Sequence, residues 1–120
     1  MAFVNLKWKK RDTTDFIFVV KRDLKGIDIA TLRNKCIRRG ELDLGYHFVI
    51  RANGNIEAAR PSFAYAGWWF DKAERGLAVL VDTAGEEKIS MAAKKALKIL
   101  ASKYPGAIIK EVAVTEEMEV

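Results

Sequence analysis

Apolar residues fall along this chain in two rhythms. Residues 15 to 20, DFIFVV, and residues 76 to 82, GLAVLVD, are short unbroken runs of aliphatic and aromatic side chains. Runs of that length and continuity mark strands buried on both faces of a sheet. Residues 46 to 51, YHFVIR, predict a further buried strand. Asn53-Gly54 then supplies the positive φ angles of a two-residue hairpin turn, returning the chain through Ile56 and Ala58. Residues 3 to 8, FVNLKW, alternate apolar with polar and predict a short edge strand, and AIIKEVAV (107 to 114) predicts the last one.

The second rhythm is helical. Asp28 is a helix cap, followed by Ile29, Leu32, Cys36 and Ile37 on one side of a helix that runs to Arg39, with Gly40 as its stop. From Lys88 to Tyr104, Ile89, Ala92, Ala93, Ala96, Leu97 and Leu100 repeat at helical spacing, and Pro105-Gly106 ends the segment. Residues 60 to 75 show no period and read as a long aromatic-rich loop. The order β-β-α-β-β-loop-β-α-β predicts an α/β fold. Its central sheet is mixed and flanked by helices on both sides, a three-layer sandwich.

Composition narrows the class. A chain of 120 residues, half hydrophobic and 31% charged, makes one globular domain, residues 1 to 120, with an acidic tail at 115 to 120. No run approaches a membrane span, and charges begin at Lys7, too early for a secretory leader. The single cysteine fits a reducing compartment, so a cytoplasmic location is expected, that of the host if the gene is a phage's. The net charge of +5 rises to +8 once the three glutamates of the TEEMEV tail are set aside. Cations gather at residues 7 to 11, 21 to 25 and 33 to 39, a surface that keeps a small domain soluble and favours anionic partners. LKWKKR mixes Trp8 with Lys7, Lys9 and Lys10, a weak signal for nucleic acid and a candidate partner-binding strand.

The segments DTTDFIFVV, LDLGYHFVI, NGNIEAAR, GLAVLV and LASKYPGAI occur here in an order and spacing that resemble the type-2 zinc-dependent N-acetylmuramoyl-L-alanine amidases. These share a fold with peptidoglycan recognition proteins, and within the group the resemblance is nearest to the lysozymes of T7-like bacteriophages. It implies the amidase fold and a phage origin. In that family two histidines and a cysteine or aspartate hold zinc, and the open position carries the attacking water. The resemblance places the three ligands at Val20, Val112 and Val120, and the family's catalytic lysine at Met118. Tyr46 alone remains of the active-site set, where in the amidases it lies close to the zinc. Valine has no electron pair to donate, and the whole chain offers one histidine and one cysteine. No metal, no cofactor and no zinc-dependent hydrolysis are therefore expected.

The aromatic loop occupies the segment that lines the substrate groove in those amidases. It carries Phe63, Tyr65, Trp68, Trp69 and Phe70, more aromatics than a loop needs for packing. Tyr46, Tyr65, Trp68, Trp69, Arg51 and Arg60 are the candidate ligand-binding residues, rings for stacking and guanidiniums for phosphate or carboxylate. His47 is expected to point away from Tyr46 and to pack. The functional expectation is a catalytically inactive binding protein. It either sequesters a small anionic ligand, such as a signalling nucleotide of host defence, or binds and inhibits a protein such as an RNA polymerase. A non-hydrolytic muropeptide-recognition module and an enzyme with metal-free chemistry are the alternatives. The edge strand and the aromatic loop also leave homo-oligomers open.

Overall fold

A computed structural model describes residues 9–38, 44–67 and 70–113, with Cys36 described by its backbone alone. The FVNLKW strand and the acidic tail lie outside these residues. The elements run β1 (Phe16–Arg22), α1 (Ile29–Arg38), β2 (Phe48–Ile50), β3 (Ile56–Ala58), a 3-10 turn (Ala73–Arg75), β4 (Gly76–Asp82), α2 (Met91–Ala101) and β5 (Ile108–Glu111). The sheet order is β3-β2-β4-β1-β5. β2, β4, β1 and β5 are parallel, and β3 is antiparallel to β2. This is the mixed α/β sheet expected from the apolar pattern.

The connection through α1 leads from β1 toward one edge of the sheet, and the connection through α2 leads from β4 toward the other. Crossovers of one hand running in opposite directions must place their helices on opposite faces. The core divides accordingly. Phe18, Val20, Val49, Ala78 and Leu80 pack with Leu32 of α1 on one side. Ile17, Val19, Ile50, Leu77, Val79 and Val81 pack with Ala93, Ala96 and Leu100 of α2 on the other. Every residue of β4 is buried, which is why its sequence shows no alternation.

Several boundaries differ from the sequence expectation. The start of α1 does not: Asp28 caps it one residue before Ile29, its carboxylate accepting the Thr31 N–H at 2.8 Å. Ile37 is 48% exposed rather than packed. α2 starts at Met91 because Ser90 caps it, its hydroxyl accepting the Ala93 N–H at 3.1 Å and donating to the Ala52 carbonyl at 2.5 Å. β5 is four residues long, ending at Glu111.

The largest difference is in β2, expected over residues 46 to 51 and found only over Phe48–Ile50. Before Phe48 the chain leaves the strand path: Tyr46 lies in the α1-side cluster and Phe48 packs against the α2-side cluster, so strict alternation does not extend back to Tyr46. The carbonyls of Gly45, Tyr46 and His47 accept from Gly67, Arg60 and Ala59, drawing the segment toward the loop that follows β3. That loop is not loose. Lys10 bridges Ala64, and Phe63 and Tyr65 exchange backbone hydrogen bonds with Arg11 and Lys9.

Candidate functional site

The ends of β1 and β5 bring together two of the residues singled out by resemblance. Val19 pairs with Glu111, and the Val112 N–H donates to the Val19 carbonyl at 2.9 Å. One step further along this register Val112 stands beside Val20, and both pack in the α1-side cluster with Tyr46. Val20 is fully buried, whereas Val112 borders an open cleft of about 370 Å³ with Lys21, Glu111 and Ala113. Val120, the third position, lies outside the described residues.

Tyr46 is fully buried, its ring edge-on to Phe70 at 5.9 Å. Phe70 stacks on Phe18 at 5.0 Å, and Phe18 on the half-buried Phe16 at 5.8 Å. An aromatic file therefore runs from the sheet's interior to its surface. Its outer ring, Phe16, has three cations near it: Lys110 at 5.2 Å, Lys72 at 5.6 Å and Arg75 at 5.7 Å from the ring centroid. Trp68 and Trp69, the strongest stacking candidates, lie outside the described residues, as do Lys7 and Trp8; Lys9 is exposed.

The two arginines part company. Arg60 turns inward, donating to the carbonyls of Leu44 at 3.1 Å and Tyr65 at 2.9 Å, so it ties the loop to the body. Tyr65 is half-buried and shares this loop. Arg51 instead pairs with Glu57 across the hairpin at 2.9 Å. It borders a cleft of about 450 Å³ at the carboxyl ends of β2 and β4, with Gly26, Asp28, Asn53 and Asp82. In that cleft hydrogen bonds from Thr31 hold the Asp28 carboxyl below the usual carboxylate range, with the Arg51 charge adding to the effect. The structure thus brings Tyr46, Val20 and Val112 into one cluster and Arg60 against Tyr65, and leaves Arg51 apart.

His47 is buried with both ring nitrogens engaged. The Ala78 N–H donates to Nδ1 at 2.9 Å, so the proton sits on Nε2, which donates to the Ala64 carbonyl at 2.7 Å. Arg11 donates to the same carbonyl at 2.5 Å. Burial, with the nearby charges of Arg11 and Arg60 helping, lowers the imidazole pKa to about 4 against the pull of those backbone bonds. A zinc ion does not fit these residues: the two valines cannot coordinate it, and His47 is buried with its lone-pair nitrogen already taken by the Ala78 N–H. Among the described residues no three His, Cys, Asp or Glu side chains are grouped as metal ligands.

Two polar residues with structural work to do were not singled out from the sequence. Asp82 closes the apolar run of β4, and its Oδ1 accepts from Leu24 at 3.1 Å and Ala84 at 2.8 Å, binding the loops after β1 and β4 together. Its signal is a lone carboxylate ending a strand three residues before a glycine. Arg11 sits in the basic N-terminal cluster, where only the fold shows that its charge points inward.

This mixed α/β fold is similar to solved structures of peptidoglycan recognition proteins and N-acetylmuramoyl-L-alanine amidases. The structure is similar to PGRP-Hd from Alvinella pompejana, with a TM-score of 0.74 and 20% identity over 94% of this chain and 80% of that one. It is similar to the amidase LysCS from Clostridium intestinale (TM-score 0.67, 22% identity, 90% and 77% covered). It is also similar to a Drosophila PGRP-LB point mutant in complex with tracheal cytotoxin (TM-score 0.68, 15% identity, 89% and 73% covered). In sequence, 62 residues are 34% identical to the endolysin of Escherichia phage T7, and the same holds for the endolysin of Enterobacteria phage T3. That match takes in 49% of this chain and 41% of each endolysin, less than half of their length. No protein-family profile matches the sequence. The resemblance to the T7 type of amidase, first carried by short motifs, therefore holds. Among the described residues no helix is long and apolar enough to cross a membrane.

Proposed function

We propose that this chain is an amidase-fold protein that binds without hydrolysing. The observation that carries this reading is the pair Val20 and Val112, side by side at the strand ends where the resemblance puts two zinc ligands. Without those donors no bound water is brought toward neutral pKa and no substrate carbonyl is polarised. The rest of the site supports binding to a protein over capture of a small anion. Tyr46 is wholly buried and the Arg60 guanidinium is given to two backbone carbonyls. The exposed cations, Lys9, Lys72, Lys88, Lys94 and Lys110, stand on the outer surface. Such a protein regulates an enzyme by occupying it, a polymerase being the kind of target the resemblance implies.

The test is direct. Purified protein is assayed for zinc by elemental analysis and for release of peptide from isolated peptidoglycan, with an active endolysin alongside. Both should be blank; stoichiometric zinc or released peptide would overturn the reading. A second reading is muropeptide recognition without cleavage, favoured by the similarity to a PGRP-LB structure solved with tracheal cytotoxin. Calorimetry with muropeptides, set beside a thermal-shift panel of nucleotides, separates these ligand classes. Stabilisation by a nucleotide would return the small-anion version to first place.

A further inference from the structure

We propose that the β5 edge, with the cleft beneath it on the α2 side, is a docking groove for an extended acidic segment of a partner protein. This rests on the reading of the chain as a binding protein and assigns the surface that binds. Among the described residues β5 is the last strand on its side of the sheet. The N–H groups of Ile108 and Val112 donate to Asp15 and Val19, toward β1. Alternation along a strand then turns the peptide groups of Ile109 and Glu111 outward, ready to pair with another strand. Ile108 is 60% exposed and Ile109 is 50% exposed, so the edge is apolar as well as open.

Below Ile109 the cleft measures about 270 Å³, floored by Val19, Ile89 and Leu97. Lys21, Lys88 and Lys94 stand around it with one carboxylate, Glu111. Lys21 is paired with Glu111 at 2.8 Å, while Lys88 and Lys94 have no carboxylate partner among the described residues. Pockets that bury a free small ligand run from roughly 300 to 1,000 Å³. This one falls below that range and suits one or two aliphatic side chains. An added strand would place alternate side chains on the α2 face, an aliphatic one in the cleft and carboxylates beside the lysines, while its backbone pairs with Ile109 and Glu111. A second copy of this chain is opposed by charge, since it would bring the same lysines to the same rim.

The probe is a short blocked peptide in which glutamates flank a central leucine, followed by fluorescence anisotropy and by amide NMR on the full chain. Saturable binding is expected, weakening with salt, with the largest amide shifts at Ile109 and Glu111. Exchanging both lysines (Lys88→Glu with Lys94→Glu) should weaken it by about tenfold or more, the measure of losing charge complementarity at such a site. Ile109→Pro should abolish it, because proline removes the outward N–H and puts its ring in the path of the incoming strand, a change that edge strands tolerate. If Ile109→Pro does not fold, the lysine pair and the shift map decide.

The groove is wrong if the peptide does not saturate, if binding survives all these changes, or if the shifts map to the α1 side. It is equally wrong if an oligonucleotide binds these residues more tightly than the peptide, or if Ile109→Pro abolishes self-association of the chain itself. Blank hydrolysis and zinc assays with no peptide binding would remove the groove alone. Active hydrolysis would remove the binding-only reading and leave the groove to its own measurement.

Discussion

His47 shows how a single side chain can stand in for backbone. Its ring accepts the Ala78 N–H that a sheet carbonyl would otherwise take, and hands its own proton to Ala64 in the adjoining loop. The fold therefore wants the neutral imidazole. The folded pKa of about 4 lies below the free value of 6.5, so the unfolded chain binds the extra proton first as pH falls. This contribution is complete above about pH 6.5 and is lost progressively toward pH 4, roughly 3 kcal/mol in all. Denaturant titrations across that window should show the decline, and His47→Gln, less stable at neutral pH, should show a shallower one. An equal slope in both proteins would mean that other groups carry it. The histidine's packing role was legible in its apolar neighbours, whereas its two backbone partners were not, because Ala64 and Ala78 come from distant parts of the chain. Tyr46 is the converse case. Its identity was legible, but its complete burial depends on residues far along the chain, among them Phe70, whose ring it meets edge-on.

Elements were legible to the degree that their packing is local. β4 and β1 were plain as unbroken apolar runs, while β2 was overextended because its first two residues keep strand-like composition but lend their carbonyls to the following loop. Gly76, the first residue of β4, gave no sign of its importance. Its φ of −127° suits any residue, so glycine is needed there for space and not for conformation. A Cβ would collide with Cε2 of Phe18, whose ring is fixed in the stack with Phe16 and Phe70. Gly76→Ala should destabilise by about 1–3 kcal/mol, as overpacking of a well-filled core does. Thermal or urea unfolding checks this; unchanged stability would mean that the aromatic file can shift sideways.

At the scale of the whole molecule, the two helices never meet across the sheet, yet they share it. Leu32 on α1 and Leu100 on α2 anchor opposite faces of the same strands. Leu32→Ala and Leu100→Ala should each cost about 2–5 kcal/mol, and the two should add to within about half a kcal/mol because the sites share no partner. Both should move one cooperative transition, seen alike by circular dichroism and by calorimetry. Two resolved transitions would show that each face melts on its own. The architecture was legible from the alternation of strand and helix signals, and the likeness to PGRP-Hd confirms it. The proposed docking surface was less so: the cleft under β5 joins Lys21 to Lys88 and Lys94 from far along the chain, and no local pattern marks such a meeting.

The place of β1 has a consequence for the chain's life on the ribosome. Its neighbours are β4, beginning at Gly76, and β5, beginning at Ile108, so every pairing it makes awaits residues synthesised at least 60 positions later. Until β4 emerges, FIFVV has no strand beside it among the described residues, and the helix that covers Ile17 and Val19 has yet to be made. Parallel sheets closed by such long loops form slowly and leave sticky intermediates exposed. Slowed translation or added holdase chaperone is therefore expected to raise the soluble yield of this protein, measured as the soluble fraction after synthesis.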